Sequence, residues 1–469
     1  MPDTDLAVIG AGAAGLSVAT LAAALGLRVT LFERDRAGGR RLAEEVPAQA
    51  LLACARAAQA VRDSGRFGVR AGDLAIDWTR VRDRMAEAAL AYGRDASLAR
   101  VRGLGVEVVP AAARFDGPGT VAAADRIWRF RRCLLAAGSV PAMPELPGIA
   151  EAPALAPAEL LDLADPPGHL MVLGGGAEGL ALAQAYRRLG SLVTVIEPGP
   201  LAPGEDPELA AVLRAALAQD GVTLLEDAAL ARAEKRPDGL TLLLADGRRV
   251  AGTHLLVAQG RRPHLTPLDL AAGRVEAGEA GVAVDAGLRS RSNRRVWAAG
   301  SLAAPGEGGR GTAETQVGLL LRSLLFRLPV RGGAAPAPRL IRTDPALVQA
   351  GLTEAEAEAR GLQPRTQRFP LAHAARGMAE GCSAGLVKLV SDRRGRLLGA
   401  GVAGPGAEGM AGLFSALLAG RRSLSDLATL PLPALAEAEA ARQAATGFYA
   451  PLATGPWARK LARVARLLP

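Results

Sequence analysis

Glu33 and Glu197 each close a short apolar run that follows a glycine-rich turn, and they are the side chains best placed to meet a ligand. The turns are Gly10-Ala11-Gly12-Ala13-Ala14-Gly15 and Gly174-Gly175-Gly176-Ala177-Glu178-Gly179. Between a strand and a helix, the first glycine of such a turn permits the sharp bend and the second lets a pyrophosphate approach the backbone. The third lets the helix pack closely on the strand. The free N–H groups of the helix N-terminus face the phosphates, and the acid accepts hydrogen bonds from the ribose. Glu197 favours NAD(H), because a 2′-phosphate would meet a carboxylate there, and Pro198-Gly199-Pro200 adds no basic clamp; NADP(H) is the second choice.

The other reactive side chains are scattered. Cys54, Cys133 and Cys382 lie far apart with no CxxC or His-rich neighbour, so neither a zinc site nor a disulfide framework is indicated. Free thiols in a reducing cytosol fit this usage, and a cytoplasmic protein is expected. The histidines at 169, 254, 264 and 373 fall at strand edges or in loops. No metal ligand set and no nucleophile with its base is found, so no catalytic residue is assigned.

The elements that must position the two acids follow from the pattern. Residues 5–9 (DLAVI) and 27–32 flank the first turn as buried strands, and residues 169–173 (HLMVL) and 192–196 flank the second. Two such Rossmann units in one chain imply two different dinucleotides, FAD and NAD(H), and the natural chemistry is hydride transfer from nicotinamide to flavin. Residues 6–27 carry no charge over a length that could cross a bilayer. Acidic MPDTD precedes them and they are mostly Gly, Ala and Ser, so a strand, a turn and a helix are expected instead.

With 469 residues the chain has material for roughly three domains. Its 49% hydrophobic and 22% charged residues describe a soluble globular protein. A net charge of +9 could signal a polyanion partner, but the basic residues are mostly single arginines and aromatics make up only 3%, so nucleic-acid binding is not expected.

Further segments resemble one family, the flavoprotein pyridine nucleotide-disulfide oxidoreductases, and especially its dihydrolipoamide dehydrogenases and mercuric-reductase-like members. Residues 134–141 (LLAAGSVP) resemble the turn closing the first flavin segment, and 255–263 (LLVAQGRRP) the strand returning from the nicotinamide domain. Residues 296–301 (VWAAGS) resemble the second flavin contact, with Ser301 where the family has Asp. Residues 343–345 (TDP), 351–355 (GLTEA) and 387–390 (VKLV) resemble the interface domain. The resemblance implies an α/β fold of two Rossmann-like dinucleotide-binding domains, for FAD and NAD, plus a C-terminal α+β dimerisation domain. It implies FAD on Gly10, Gly12, Gly15, Glu33, Gly38, Gly39, Gly138, Gly300 and Ser301, and NAD(H) on Gly174, Gly176, Gly179, Glu197 and Gly260. It also implies a homodimer whose active sites borrow residues from the partner. The expected division is 1–150 for the first part of the FAD domain, 151–265 for the NAD(H) domain and 266–330 for the FAD return segment. The dimerisation domain takes 335–450 and a basic amphipathic tail 451–469, with residues 329–338 (PVRGGAAPAP) as linker.

The resemblance fails at the chemistry. After Gly38-Gly39 the family carries two cysteines; here Arg41 and Glu45 stand about where they belong, with one residue missing, so no thiolate can pass electrons from flavin to a disulfide. Cys54 lies nearby without a partner. Gln49 replaces a lysine near the flavin N5, Ala181 a glutamate beside the nicotinamide, and Leu432 a histidine whose carboxylate partner survives as Glu437, expected as a solvated helix residue. The function expected is an FAD-dependent NAD(P)H oxidoreductase whose small-molecule electron acceptor is not a disulfide, or which serves a partner protein. The alternative is a non-catalytic flavin-binding relative acting in binding, sensing or a heterodimer. A dihydrolipoamide or mercuric reductase using unidentified thiols comes third. In the tail, Trp457, Leu461, Val464 and Leu468 recur at helical spacing among Arg459, Lys460, Arg463 and Arg466. Such a helix suits peripheral contact with an anionic membrane at its inner face; packing on its own dimer or fraying in water are the alternatives.

Overall fold

The computed structural model describes residues 1–304, 313–330, 337–382, 384–453 and 455–466. The chain folds as two compact units, Met1–Gly199 with Leu225–Ala334, and Pro200–Leu224 with Ala335–Pro469.

In the first unit the strand Thr4–Ile9 lies between Val29–Phe32 and Arg126–Leu135, parallel to both. Glu107–Val109 extends the sheet beyond Val29–Phe32, and Val296–Ala298 pairs in parallel with Cys133–Leu135, on the edge of that strand opposite Thr4–Ile9. The central strands are covered on both faces, which is why they read as near-continuous hydrophobic runs without alternation. The helix Ala13–Ala24 turns Ala14, Gly15, Val18, Ala19 and Ala22 inward, a small-residue stripe that lets it lie close to the sheet. This accounts for the uncharged N-terminal run as a strand, turn and helix, and among the described residues no helix is long and apolar enough to cross a membrane.

The arrangement recurs in Leu192–Ile196, His169–Leu173, His254–Val257 and Ala154–Leu155, which form a second parallel sheet with the helix Ala177–Arg188. Ser139–Pro141 and Arg261–Pro263 pair antiparallel at the points where the chain passes from the first sheet to the second and back again. A five-residue π-turn, Arg41–Glu45, leads into the helix Val46–Asp63, whose Arg62 Nη2 donates to the Arg188 carbonyl at 2.6 Å.

The second unit is a five-stranded antiparallel sheet in the order Arg339–Ile341, Ala346–Gly351, Leu397–Gly404, Leu386–Ser391, Arg365–Pro370. Val348, Val387, Leu389 and Val402 of the sheet share a core with Phe414 and Leu417 of the helix Ala407–Ala419 and Ala441 and Ala445 of Glu439–Ala453. The segment 200–224, assigned by sequence to the nicotinamide stretch, groups with this unit. Its Asp206 and Glu208 meet a buried lysine: Lys388 Nζ lies 2.7 Å from Asp206, 2.6 Å from Glu208 and 2.9 Å from Glu354. Arg368 closes the cluster against Glu208 at 2.7 Å. The tail forms the helix Pro456–Ala465, none of whose residues is buried, and Trp457 is 75% exposed. Leu468 of its expected apolar face and residues 331–336 of the expected linker lie outside the described residues.

Candidate functional site

The first glycine turn has no room for side chains. Gly10 has φ +104°, and a Cβ there would collide with the Ala136 carbonyl oxygen; one on Gly15 would collide with the carbonyl of Gly10. Gly12 caps the helix Ala13–Ala24 in an extended conformation with no side-chain cap, which leaves the helix N–H groups facing outward for an anion. Gly38, at φ +96°, donates its N–H to the Ala11 carbonyl at 2.9 Å, and a Cβ on Gly39 would lie 3.2 Å from Gly12 Cα. The Glu33 carboxylate is held by backbone at both oxygens, from the Ala11 N–H at 2.6 Å and the Asp35 N–H at 2.9 Å. This is a cradle that added Cβ atoms would fill, and its residues fit the pyrophosphate and ribose of FAD. Gly138 and Gly300 take φ +74° and +63° with open space above them. The Gly300 N–H donates to Gln316 Oε1 at 2.6 Å, and Ser301 beside it is exposed.

The second turn repeats the first at each of its three motif glycines. Gly174, at φ +117°, and Gly179 have the same forbidden Cβ positions, against the carbonyls of Ala258 and Gly174. Gly176 caps Ala177–Arg188, and Glu197 accepts from the Gly175 N–H at 2.5 Å and the Gly199 N–H at 3.3 Å. Gly260, at φ +93°, turns the returning chain and accepts the Ala142 N–H at 3.0 Å. One difference stands out: the second helix carries an acid, Glu178, in its first turn, and the first helix carries none.

An ion-paired network occupies the segment after Gly39. Glu44 accepts from Arg40 Nε at 2.9 Å and from Arg261 Nη1 at 3.0 Å. Arg261 also donates from Nε to Ser139 Oγ and from Nη2 to the Ser139 carbonyl, both at 3.0 Å. Arg40 reaches on to Glu178 at 3.0 Å and Glu45 at 3.4 Å, and Arg41 pairs with Glu45 at 3.6 Å. Burial favours the neutral form of Arg40, but Glu178, Glu44 and Glu45 outweigh it and hold the guanidinium above its ordinary pKa. Glu44 and Arg261 are the inner pair, 9% and 15% exposed at the side chain. Sequence reasoning missed Arg40, Glu44, Glu178 and Arg261 as a set; the one local signal was Arg40 and Glu44 at i,i+4 spacing.

The other expected positions separate. Gln49 is exposed, Ala181 is buried inside its helix, and Leu432 is half-buried in a loop of the other unit. Glu437 is solvated as expected, with its side chain 38% exposed, but it lies in a turn ahead of Glu439–Ala453 and not on a helix, beside Gly406 and 3.6 Å from Arg376. Burial pushes the thiols of Cys54 and Cys133 up, away from the reactive thiolate. His169 bonds Thr194 Oγ1 at 2.9 Å and His254 bonds Thr253 Oγ1 at 3.0 Å, and burial lowers both pKa values. Among the described residues no group of three or more His, Cys, Asp or Glu could hold a metal ion.

Residues 4–319 match the family model of the pyridine nucleotide-disulphide oxidoreductases, and residues 337–445 match that family's dimerisation domain. A mercuric reductase of Streptomyces lividans is 31% identical over 96% of this chain and 97% of its own length. A dihydrolipoyl dehydrogenase of Thermus scotoductus is 32% identical over 93% and 96%. Among solved structures, LpdA from Mycobacterium tuberculosis superposes with a TM-score of 0.83 at 24% identity, covering 95% of this chain and 99% of that one. The HOCl-induced flavoprotein disulfide reductase RclA from Escherichia coli superposes with 0.82 at 22%, covering 94% and 99%. At those identities the structures speak for the fold, and the family matches over most of the chain speak for descent. The chain belongs to the pyridine nucleotide-disulphide oxidoreductase family, as a flavoprotein whose cofactors are FAD and NAD(P)H and whose C-terminal part is the dimerisation domain.

Proposed function

We propose that this chain is an FAD-dependent NADH oxidoreductase that delivers its electrons to something other than a disulfide: a quinone, a dye-like acceptor, a partner protein or oxygen. The observation that carries this is the Arg40–Glu44–Arg261 network in the stretch after Gly39, where the sequence holds no cysteine. Without a thiol pair, no dithiol relay can form between flavin and substrate. Bound FAD supplies the two-electron chemistry. The protein's own residues bind and orient: Gly10, Gly12, Gly15, Gly38 and Gly39 would hold the pyrophosphate of FAD and Glu33 its ribose. Gly138, Gly300 and Ser301 would line the remainder of the flavin site. Gly174, Gly176, Gly179 and Glu197, with Gly260, would hold NADH. Glu197 favours the free hydroxyls of NADH over a 2′-phosphate. The dimerisation domain supports a homodimer as the working form.

The test is anaerobic titration of the FAD-loaded protein with NADH. The flavin is expected to bleach without the long-wavelength band of a thiolate lying against it, and a quinone acceptor is expected to reoxidise it. Lipoamide, glutathione disulfide and mercuric ion are expected to be inert. A long-wavelength band that disappears in Cys54→Ser would overturn the proposal in favour of a thiol mechanism. A flavin that dithionite reduces and NADH does not would overturn it in favour of a non-catalytic relative.

A further inference from the structure

Glu178 is left unexplained by the proposed reaction. It places a carboxylate in the first turn of Ala177–Arg188, beside the N–H groups that a dinucleotide pyrophosphate would approach. An acid there stabilises the helix, but it repels an incoming anion at the same spot. The counterpart helix at the first turn, Ala13–Ala24, has no acid in this position, so the charge is not a requirement of the fold. The glutamate that the family resemblance expects at Ala181 is absent, and Glu178 lies one helical turn earlier, nearer the glycines.

Glu178 is not bare. Arg40, from the flavin-side segment 138 residues away, sets Nη2 3.0 Å from Glu178 Oε1. The rest of that guanidinium faces Glu44 at 2.9 Å and Glu45 at 3.4 Å, which fix its orientation. Arg40 and Glu178 stay within reach of solvent, with side chains 41% and 27% exposed, so the pair stands at the rim where a ligand arrives. We propose that Arg40 is the counter-charge that makes the second glycine turn competent for a nicotinamide dinucleotide: it cancels Glu178, so that the pyrophosphate meets a neutral pair instead of a carboxylate. The inference rests on that turn being the NAD(P)H site. It makes Arg40 an affinity-determining residue for the nicotinamide cofactor that lies outside both glycine motifs.

The experiment measures NAD+ binding by calorimetry on full-length, FAD-loaded protein, with flavin content recorded in parallel. Arg40→Leu is expected to weaken NAD+ binding about tenfold, the scale of one partly exposed charge-assisted contact, and to leave flavin content unchanged. Glu178→Gln is expected to bind NAD+ as tightly as the parent or more tightly. The double variant is expected to return to within about twofold of the parent, since the offending charge has gone with its partner. The Arg40→Leu defect should shrink as salt is raised. Should Arg40→Leu lose flavin, the swap Arg40→Glu with Glu178→Arg decides instead, with Arg40→Glu alone expected to bind more weakly than the swap. Equal binding by Arg40→Leu and the parent would overturn the proposal. So would a loss in Glu178→Gln that matches Arg40→Leu and is not relieved in the double variant, which would mark a structural strut. Failure of the parent itself to bind NAD+ or NADP+ would overturn the assignment of the turn, and would be seen before any variant is made.

Discussion

Lys388→Met should destabilise the second unit by leaving a buried cluster of carboxylates without its central cation. Lys388 is 4% exposed and Asp206 3%, and the ammonium lies within 2.9 Å of three carboxylates. Burial opposes the charge on Lys388, yet its hydrogen bonds to Asp206, Glu208 and Glu354 keep its pKa above the ordinary value. Removing one partner of a buried pair costs about 3–5 kcal/mol; solvent screening at Glu208 and Glu354, which are more exposed, reduces the expectation to about 3 kcal/mol. For a unit of this size that lowers Tm by about 10 °C at pH 7. The pH dependence gives the sharper test. The Arg368 hydrogen bond first, and Lys388 after it, hold the Glu208 carboxyl down at about 2. A carboxyl depressed on folding contributes stability that is present above its unfolded pKa and is lost as pH falls through the folded one. The parent should therefore lose stability as pH drops from about 4.5 towards 2. In Lys388→Met the carboxylates repel one another, so protonation relieves them and the Tm gap to the parent should narrow between pH 7 and pH 5. Thermal unfolding followed by circular dichroism at both pH values decides it. A Tm within about 2 °C of the parent at pH 7, or a gap that widens on acidification, would refute the argument.

Glu44→Ala should leave Arg261 with only the Ser139 contacts, lowering the stability of the first unit by about 2 kcal/mol in urea unfolding, whereas Glu44→Gln should lose less. Gly10→Ala should abolish flavin retention, because its Cβ would collide with the Ala136 carbonyl at a φ of +104°; purified protein that stays yellow would count against the first turn as the flavin site. Ser301→Asp should tighten FAD binding by about 1 kcal/mol if that residue faces the ribityl chain, as measured by flavin release on dialysis. Truncation after Gly455 should abolish salt-sensitive co-sedimentation with anionic liposomes if the exposed tail helix attaches there, and equal sedimentation of both forms would dismiss membrane attachment.

The parts of the molecule visible in the sequence are those dictated by backbone geometry. Gly10, Gly15, Gly174 and Gly179 sit where a Cβ would strike a carbonyl, so the residue type itself announces the turn. The strands His169–Leu173 and Leu192–Ile196 are legible because burial on both faces keeps them apolar but for His169 and Thr194. What stayed hidden depends on contacts between distant segments. Nothing near Arg261 reveals that it will find Glu44, and nothing near Lys388 predicts carboxylates from residues 206, 208 and 354. The contacts of Glu437 were hidden for the same reason, since Arg376 and Gly406 come from other parts of the sheet unit.

Glu33 and Glu197 reach their places by bonding to main-chain N–H groups, of Ala11 and Asp35 in one turn and of Gly175 and Gly199 in the other. A device assembled from glycine torsions and amide protons is indifferent to most side chains around it. The rotamer freedom of each acid is already spent in folding, so cofactor capture does not have to order it again. Mutation can therefore rewrite the side chains around such a turn while the backbone that shapes it is inherited unchanged. In a turn built this way the backbone scaffold and the side chains around it are separately heritable, so a lineage can vary the second without having to reinvent the first.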